Sequence, residues 1–284
     1  MKLYYEIARH SICVDCKDST VMEALDGFSV FLSKDGGAPE MCVYLEEGAP
    51  QSIAGQLYYS VTTDIAACLF YRRETQCGLE IKQGDRLKLS LKGDDSLQEY
   101  CLRGSMEPAL LRFALWFAFN MAFAPSKAIA IHASAIVYKG RAWLYTGKSG
   151  TGKSTHARLI HQCFTNVELL NDDSPIVRIE NGKCMVYGSP WSGKTSCYKQ
   201  QRVELGGIVR LTQDTQNKIE LLTIHQAIGV LLPSFPPELY LNEVGQQHVI
   251  CMISDILDVA KIYSLRCLPN KEAAKLSIET ACTF

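Results

Sequence analysis

The chain has 284 residues, which leaves room for one large domain or two small ones at roughly 150 residues each. Lys plus Arg total 29 against 30 for Asp plus Glu, so no basic excess supports broad nucleic-acid binding or a polybasic membrane patch. With 47% hydrophobic and 21% charged residues the composition is that of a globular protein, not a disordered one.

Residues 1–104 read as a β-rich subdomain. The runs 28–32, 41–45 and 87–91 alternate partly with period 2, and turn clusters at 34–37, 46–50 and 92–95 separate them. No chemical motif falls in this half. Lys2, Glu6, Arg9 and His10 interrupt any secretory apolar core after Met1, so the expectation is a cytoplasmic protein with reduced thiols. Cys13 and Cys16 form a Cys-x-x-Cys, but neither a second such pair nor a histidine pair at ligand spacing accompanies it. The twelve cysteines therefore read as scattered small core residues.

The longest apolar stretch, 109–124, is broken by Arg112 and Asn120 and is too short to span a bilayer, so no membrane partner is expected. Pro108 suits a first helical turn and Pro125 a stop, which predicts a buried helix over 107–124. That helix is expected to open a second domain, 105–284.

From 127 the pattern becomes α/β with a mixed sheet. It predicts one strand over 128–138, a Lys139-Gly140 turn and a strand over 142–146. A glycine loop, a helix over about 153–163 and a strand over 167–170 that ends in Asn171-Asp172-Asp173 follow. Further strands are expected at 175–179, 184–187 and 207–212, and helices at 224–232, 237–260 and 270–282, the last capped by Asn270.

Gly147-Lys148-Ser149-Gly150-Thr151-Gly152-Lys153-Ser154, followed by Thr155, fits G-x-x-x-x-G-K-[ST] between a strand and a helix. Glycines let main-chain N–H groups turn inward around phosphate oxygens, and the helix N-terminus favours an anion. Lys153 suits the β- and γ-phosphates and the Ser154 hydroxyl suits Mg²⁺. Gly188-Ser189-Pro190-Trp191-Ser192-Gly193-Lys194-Thr195 fits the same expression, but Pro190 removes a donor from a loop that must supply donors. It reads as a loop near the phosphates, with Trp191, Gly193 and Lys194 as its contacting residues. An ordinary surface loop is the alternative.

Asp172, nineteen residues beyond Lys153, and Asp173 stand just after a strand. If that strand pairs beside the loop-bearing strand, its carboxyl end lies near the phosphates. One carboxylate then holds Mg²⁺ and the other accepts a proton from an attacking hydroxyl. A solvated Asp-Asp-Ser-Pro turn is the plainer reading of the same residues. His132 interrupts an apolar strand and, taken alone, reads as a core histidine satisfied by the backbone.

In order and spacing, Ile131-His132-Ala133-Ser134-Ala135, Thr146-Gly147 through Thr155 and Leu169-Leu170-Asn171-Asp172-Asp173 resemble the kinase domain of HPr kinase/phosphorylase. More distantly, they resemble the nucleotide core of ATP-dependent phosphoenolpyruvate carboxykinase. The resemblance covers about residues 128–180, and the whole chain looks most like the stand-alone HPr-kinase-like proteins of bacteria. It implies a P-loop kinase core, ATP and Mg²⁺ as cofactors, and a homo-oligomer by analogy with the hexameric HPr kinases. It also implies that His132 assists catalysis, Asp172 is the general base, and Asp173 contacts the metal with Ser154, the two aspartates being interchangeable at this stage. The leading expectation is transfer of the γ-phosphate to a serine-type hydroxyl in a peptide, protein or small molecule. A non-catalytic nucleotide-sensing module and a carboxykinase-like enzyme are the alternatives.

Overall fold

The computed structural model describes the chain apart from residues 18, 35–36, 63–65, 75, 95, 194, 241–242 and 283–284. The fold is mixed α/β and divides into two compact units, Met1–Ala124 and Pro125–Phe284.

The first unit is an eight-stranded sheet. Its strands are β1 (Lys2–Ile7), β2 (His10–Asp15), β3 (Met41–Glu46), β4 (Gln56–Thr62), β5 (Ala67–Arg73), β6 (Gln76–Gln83), β7 (Arg86–Gly93) and β8 (Glu99–Gly104), in spatial order β1-β2-β3-β8-β7-β6-β5-β4. The pairs β2–β3 and β3–β8 are parallel and the rest antiparallel. Helices α1 (Thr20–Ala24) and α2 (Pro108–Phe123) complete the unit.

Residues 28–32, expected as a strand, contain a single 3₁₀ turn at Ser29–Phe31. Phe28 and Phe31 are buried while Val30 and Leu32 are exposed, a spacing of three that only imitates alternation. All twelve cysteines are free thiols, and burial holds that of Cys13 up at about 11. Helix α2 packs inside this unit, with Phe113 and Phe117 against Phe70 (ring centroids 6.5 and 5.5 Å) and Phe123 stacked on His10 at 4.0 Å. The boundary between units therefore falls after Ala124, not after residue 104. A helix apolar on most faces carries no sequence record of which sheet it will cover.

The second unit contains β9 (Ala128–Ala130), β10 (Ala133–Tyr138), β11 (Arg141–Thr146), α3 (Lys153–Cys163), β12 (Val167–Asp173), β13 (Ile176–Glu180), β14 (Lys183–Tyr187), β15 (Arg202–Gln213), β16 (Lys218–Leu221), α4 (Ile224–Leu231), α5 (Glu243–Val259), β17 (Lys261–Cys267) and α6 (Lys271–Ala281). The sheet runs β12-β10-β11-β15-β14-β13-β9, with β17 also beside β15 and β16 outside β17. Only β11–β15 and β15–β17 are parallel. The α3 and α6 helices cover one face around Trp143, Tyr145, Val209, Leu265, Ile160 and Ile278. Asn270 caps α6 by accepting from the Ala273 N–H at 3.0 Å.

Four expectations are corrected here. The single strand 128–138 is two strands, because β9 pairs with β13 and β10 with β11 and β12. At the break the Ile131 and His132 amides donate to Pro175 O and Ser234 O, at 3.0 and 2.9 Å. Strand β15 begins at Arg202 because Gly206-Gly207 lies inside it, where a Cβ at either position would come within 2.6–2.8 Å of the Trp143 indole. Helix α5 starts at Glu243, after a 3₁₀ turn at 237–240. Strands β16 and β17 had no counterpart in the sequence reading. Among the described residues no helix is long and apolar enough to cross a membrane.

Candidate active site

Strand β10 runs antiparallel to both β11 and β12, so its amino end and their carboxyl ends meet at one edge of the sheet. Ala133 stands opposite both Thr146 and Asp173, and Ser134 opposite Asp172. The loop that follows Thr146, His132 just before Ala133, and the aspartate pair are thereby set side by side. The sequence argument had β12 directly beside β11. The intervening β10 separates them by two strand spacings, about 10 Å, and places the histidine between loop and carboxylates.

The loop turns on glycine. Gly147 has φ 152°, and a Cβ there would lie 2.7 Å from the Thr151 hydroxyl and 3.0 Å from Leu211 O. Gly152, at φ 94°, is the N-cap of α3 and offers no side chain to the first-turn amides. Those amides are left for an anion. The Thr151 hydroxyl closes the loop onto Lys148 O at 2.7 Å, and Gln213, at the end of β15, donates to Gly150 O at 3.2 Å.

Lys153 opens α3 and is 9% exposed. Its ammonium donates to Gly147 O (3.1 Å), Lys148 O (3.4 Å) and His132 Nε2 (2.7 Å). Burial pulls its pKa below the usual lysine value, opposed by the charges of Asp173 and Asp172. His132 is half-exposed, and burial followed by the Lys153 charge pulls its pKa down against the pull of Asp173. A neutral imidazole that accepts at Nε2 carries its proton on Nδ1, and Nδ1 stands 3.7 Å from Asp173 Oδ1. His132 is thus the link between lysine and carboxylate, not a core histidine satisfied by the backbone.

The two aspartates differ sharply. Asp172 is 2% exposed, and its Oδ1 accepts from the Ser134 hydroxyl at 2.7 Å. Its Oδ2 is buried and has no hydrogen-bond partner among the described residues. The Asp173 side chain is half-exposed, and its backbone sits at φ 140°. Ser154 is exposed beside Lys153 in the first turn of α3, and Thr155 is half-buried behind it.

The second glycine segment is not a free surface loop. Asn171 donates to Ser189 O, Ser189 Oγ and Trp191 O at 3.1–3.3 Å, and the Ser189 hydroxyl donates to Ser174 O at 2.6 Å. Trp191 is 6% exposed, Gly193 N donates to Asp172 O at 2.5 Å, and Ser192 forms a bridge with Asp173. Residues 188–193 therefore wall one side of the aspartate pair, and among the described residues no helix follows them before β15. Lys194 lies outside the described residues.

The sequence reading gives no role to Ser134, Asn171, Ser189 or Gln213. Ser134 and Asn171 carry a local signal, since one stands two residues after His132 and the other directly precedes the aspartates. The donors fit Mg²⁺: the accessible Asp173 carboxylate and the exposed Ser154 hydroxyl are hard oxygens. No group of three or more His, Cys, Asp or Glu with metal-site geometry occurs among the described residues. Mg²⁺ sites on phosphate substrates draw their remaining ligands from water and the phosphates.

No family model matches the chain, and no curated protein matches it. Among solved structures it is similar to the HPr(Ser) kinase/phosphatase from Coxiella burnetii, with 14% identity and a TM-score of 0.31 over 54% of this chain and 87% of that one.

Proposed function

We propose that this protein is an ATP- and Mg²⁺-dependent phosphotransferase that delivers the γ-phosphate to a hydroxyl acceptor. One observation carries the reading: an uncapped helix N-terminus, a buried lysine and a buried carboxylate with one unengaged oxygen converge on a single sheet edge. The amides of the Gly147–Gly152 loop and of the first turn of α3 hold the triphosphate. Lys153 exchanges the Gly147 and Lys148 carbonyls for β- and γ-phosphate oxygens. Neutral His132 keeps the ammonium aimed without adding a second cation beside it. Asp172 takes the proton of the acceptor hydroxyl, and the wall at 188–193 keeps bulk water from that side. Asp173 and Ser154 would hold Mg²⁺, which when bound neutralises the charge shared by the β- and γ-phosphates. Such catalysis is largely positioning and charge stabilisation, so this small set of groups suffices.

The test is consumption of ATP, with magnesium, in the presence of free serine, serine-bearing peptides and small hydroxy compounds. Asp172→Asn should retain nucleotide affinity and lose transfer, a drop of about 10²- to 10⁴-fold for a general base. An Asp172→Asn variant that transfers phosphate at the wild-type rate removes the assignment.

A further inference from the structure

Ser134 lies inside the segment 131–135 that carries the resemblance but has no role in it, yet among the described residues its hydroxyl makes the shortest side-chain contact that either aspartate has. It is wholly buried on β10 between Ala133 and Ala135, which are also wholly buried. An alanine at 134 would fill this Ala-Ser-Ala run as well, so packing does not ask for the hydroxyl. Its partner is Asp172 Oδ1, at 2.7 Å. The register places the two residues directly opposite each other on antiparallel strands, which fixes the approach of the hydroxyl to the carboxylate.

A carboxylate buried this deeply is costly unless both oxygens are satisfied. Here one is satisfied and the other is not. For stability alone, an apolar pair at these two positions would serve better than a half-paired acid. The arrangement makes sense if Oδ2 is reserved for something that arrives later.

We infer that Ser134 is a positioning residue for Asp172: its hydroxyl pins Oδ1, fixes the rotation of the carboxylate and leaves Oδ2 as the proton acceptor. This rests on the phosphotransfer reading. In the step it serves, the acceptor oxygen forms a bond to the γ-phosphorus as its proton passes to Asp172 Oδ2. The bond from that phosphorus to the β–γ bridging oxygen breaks, and the nucleoside diphosphate leaves with the electron pair. The protonated Asp172 then releases its proton to solvent. Loss of the Ser134 donor frees the carboxylate to rotate, and catalysis suffers without loss of nucleotide.

The experiment compares wild type with Ser134→Ala, Ser134→Cys and Ser134→Thr, in the full chain with MgATP. It reads phosphate release to water, transfer to free L-serine, and ATP affinity by calorimetry. Expected is a fall in kcat of about 10- to 100-fold for Ala and Cys, which supply no comparable donor, with ATP affinity held within about twofold. Thr, which keeps the hydroxyl, should recover most of the rate. Undiminished turnover in Ser134→Ala, or a parallel loss of rate and ATP affinity in all three variants, overturns the inference and leaves the phosphotransfer reading standing. A wild-type protein that passes phosphate to none of water, free serine, serine-bearing peptides and small hydroxy compounds overturns that reading, and the role of Ser134 with it.

Discussion

Asp173 holds a backbone angle that side-chain-bearing residues avoid, φ 140°, at the end of β12 and 3.7 Å from His132. Such conformations cost on the order of 1–3 kcal/mol and persist where the surroundings impose them. Here the Ser192 bridge and the pairing with Ala133 do so. Glycine adopts this geometry freely. Asp173→Gly should therefore be more stable than Asp173→Ala by about 1–2 kcal/mol, the gain net of glycine's extra entropy in the unfolded chain, as denaturant titration would measure. Both variants should lose phosphotransfer, which separates the strain from the chemistry. A second expectation concerns Lys153. In Lys153→Ala the phosphates lose their main cation, and calorimetry should register a loss of MgATP affinity of at least about tenfold, the scale of one charge-assisted contact. At this scale the sequence exposed the residues that carry their own spacing: the glycine loop, Lys153, His132 and the aspartates. It hid the role of Ser134, which depends on strand register, and that of Ser189, which depends on the course of the loop after β14. The register between β10 and β12 even shifts through a bulge between Ala135 and Ile136, which no periodicity records.

At the scale of elements, the helix that carries the loop is tied down by a buried polar cluster. His156, one turn into α3 and 3% exposed, meets the Ser277 hydroxyl of α6 at 3.0 Å, and the Tyr145 hydroxyl stands 3.4 Å from the same oxygen. Burial alone lowers the His156 pKa from 6.5 to about 4, so the native state holds this imidazole neutral. Below pH 6.5 the unfolded chain binds a proton here that the folded chain refuses. Stability is therefore full above about pH 6.5 and is lost as pH falls towards 4, by roughly 3 kcal/mol at most from this group. His156→Gln does not titrate. Its stability difference between pH 7 and pH 4 should be smaller than the wild-type difference by roughly that amount, as measured by urea unfolding at each pH. The elements themselves were legible where punctuation was strong. Proline and glycine delimit α2 and α3, and Lys139-Gly140, both at positive φ, makes the hairpin between β10 and β11. They were illegible where punctuation is missing. Only Ala260 separates α5 from β17; the expected helix stops at 260, but no glycine or proline announces a strand after it, and the strand beside β15 goes unread. In the apolar run 128–138 the polar His132 stands at the break where the chain leaves β13 for β11 and β12, but a lone histidine does not distinguish a break from an interruption within one strand.

At the scale of the whole molecule, neither sheet borrows a strand from the other unit: β1–β8 belong to Met1–Ala124 and β9–β17 to Pro125–Phe284. Every residue of the candidate site lies in the second unit, as does the core around Trp143 and Tyr145 that supports the loop. A unit with its own sheet, core and site should fold and bind without the other. A fragment of residues 125–284 should then bind MgATP with the affinity of the full chain and elute as a single narrow species. The decisive comparison is a fragment beginning at residue 105, the boundary that composition alone suggests. It carries α2 without the sheet that α2 covers. Leu110, Leu111, Leu115, Phe117, Phe119 and Phe123 are each at most 4% exposed in the intact chain, and in this fragment they lose β3, β7 and Phe70 as partners. A continuous apolar surface of that kind drives association. Size-exclusion chromatography should find the 105–284 fragment aggregated and the 125–284 fragment dispersed. The reverse result would assign the helix to the nucleotide-binding half and return the boundary to residue 104.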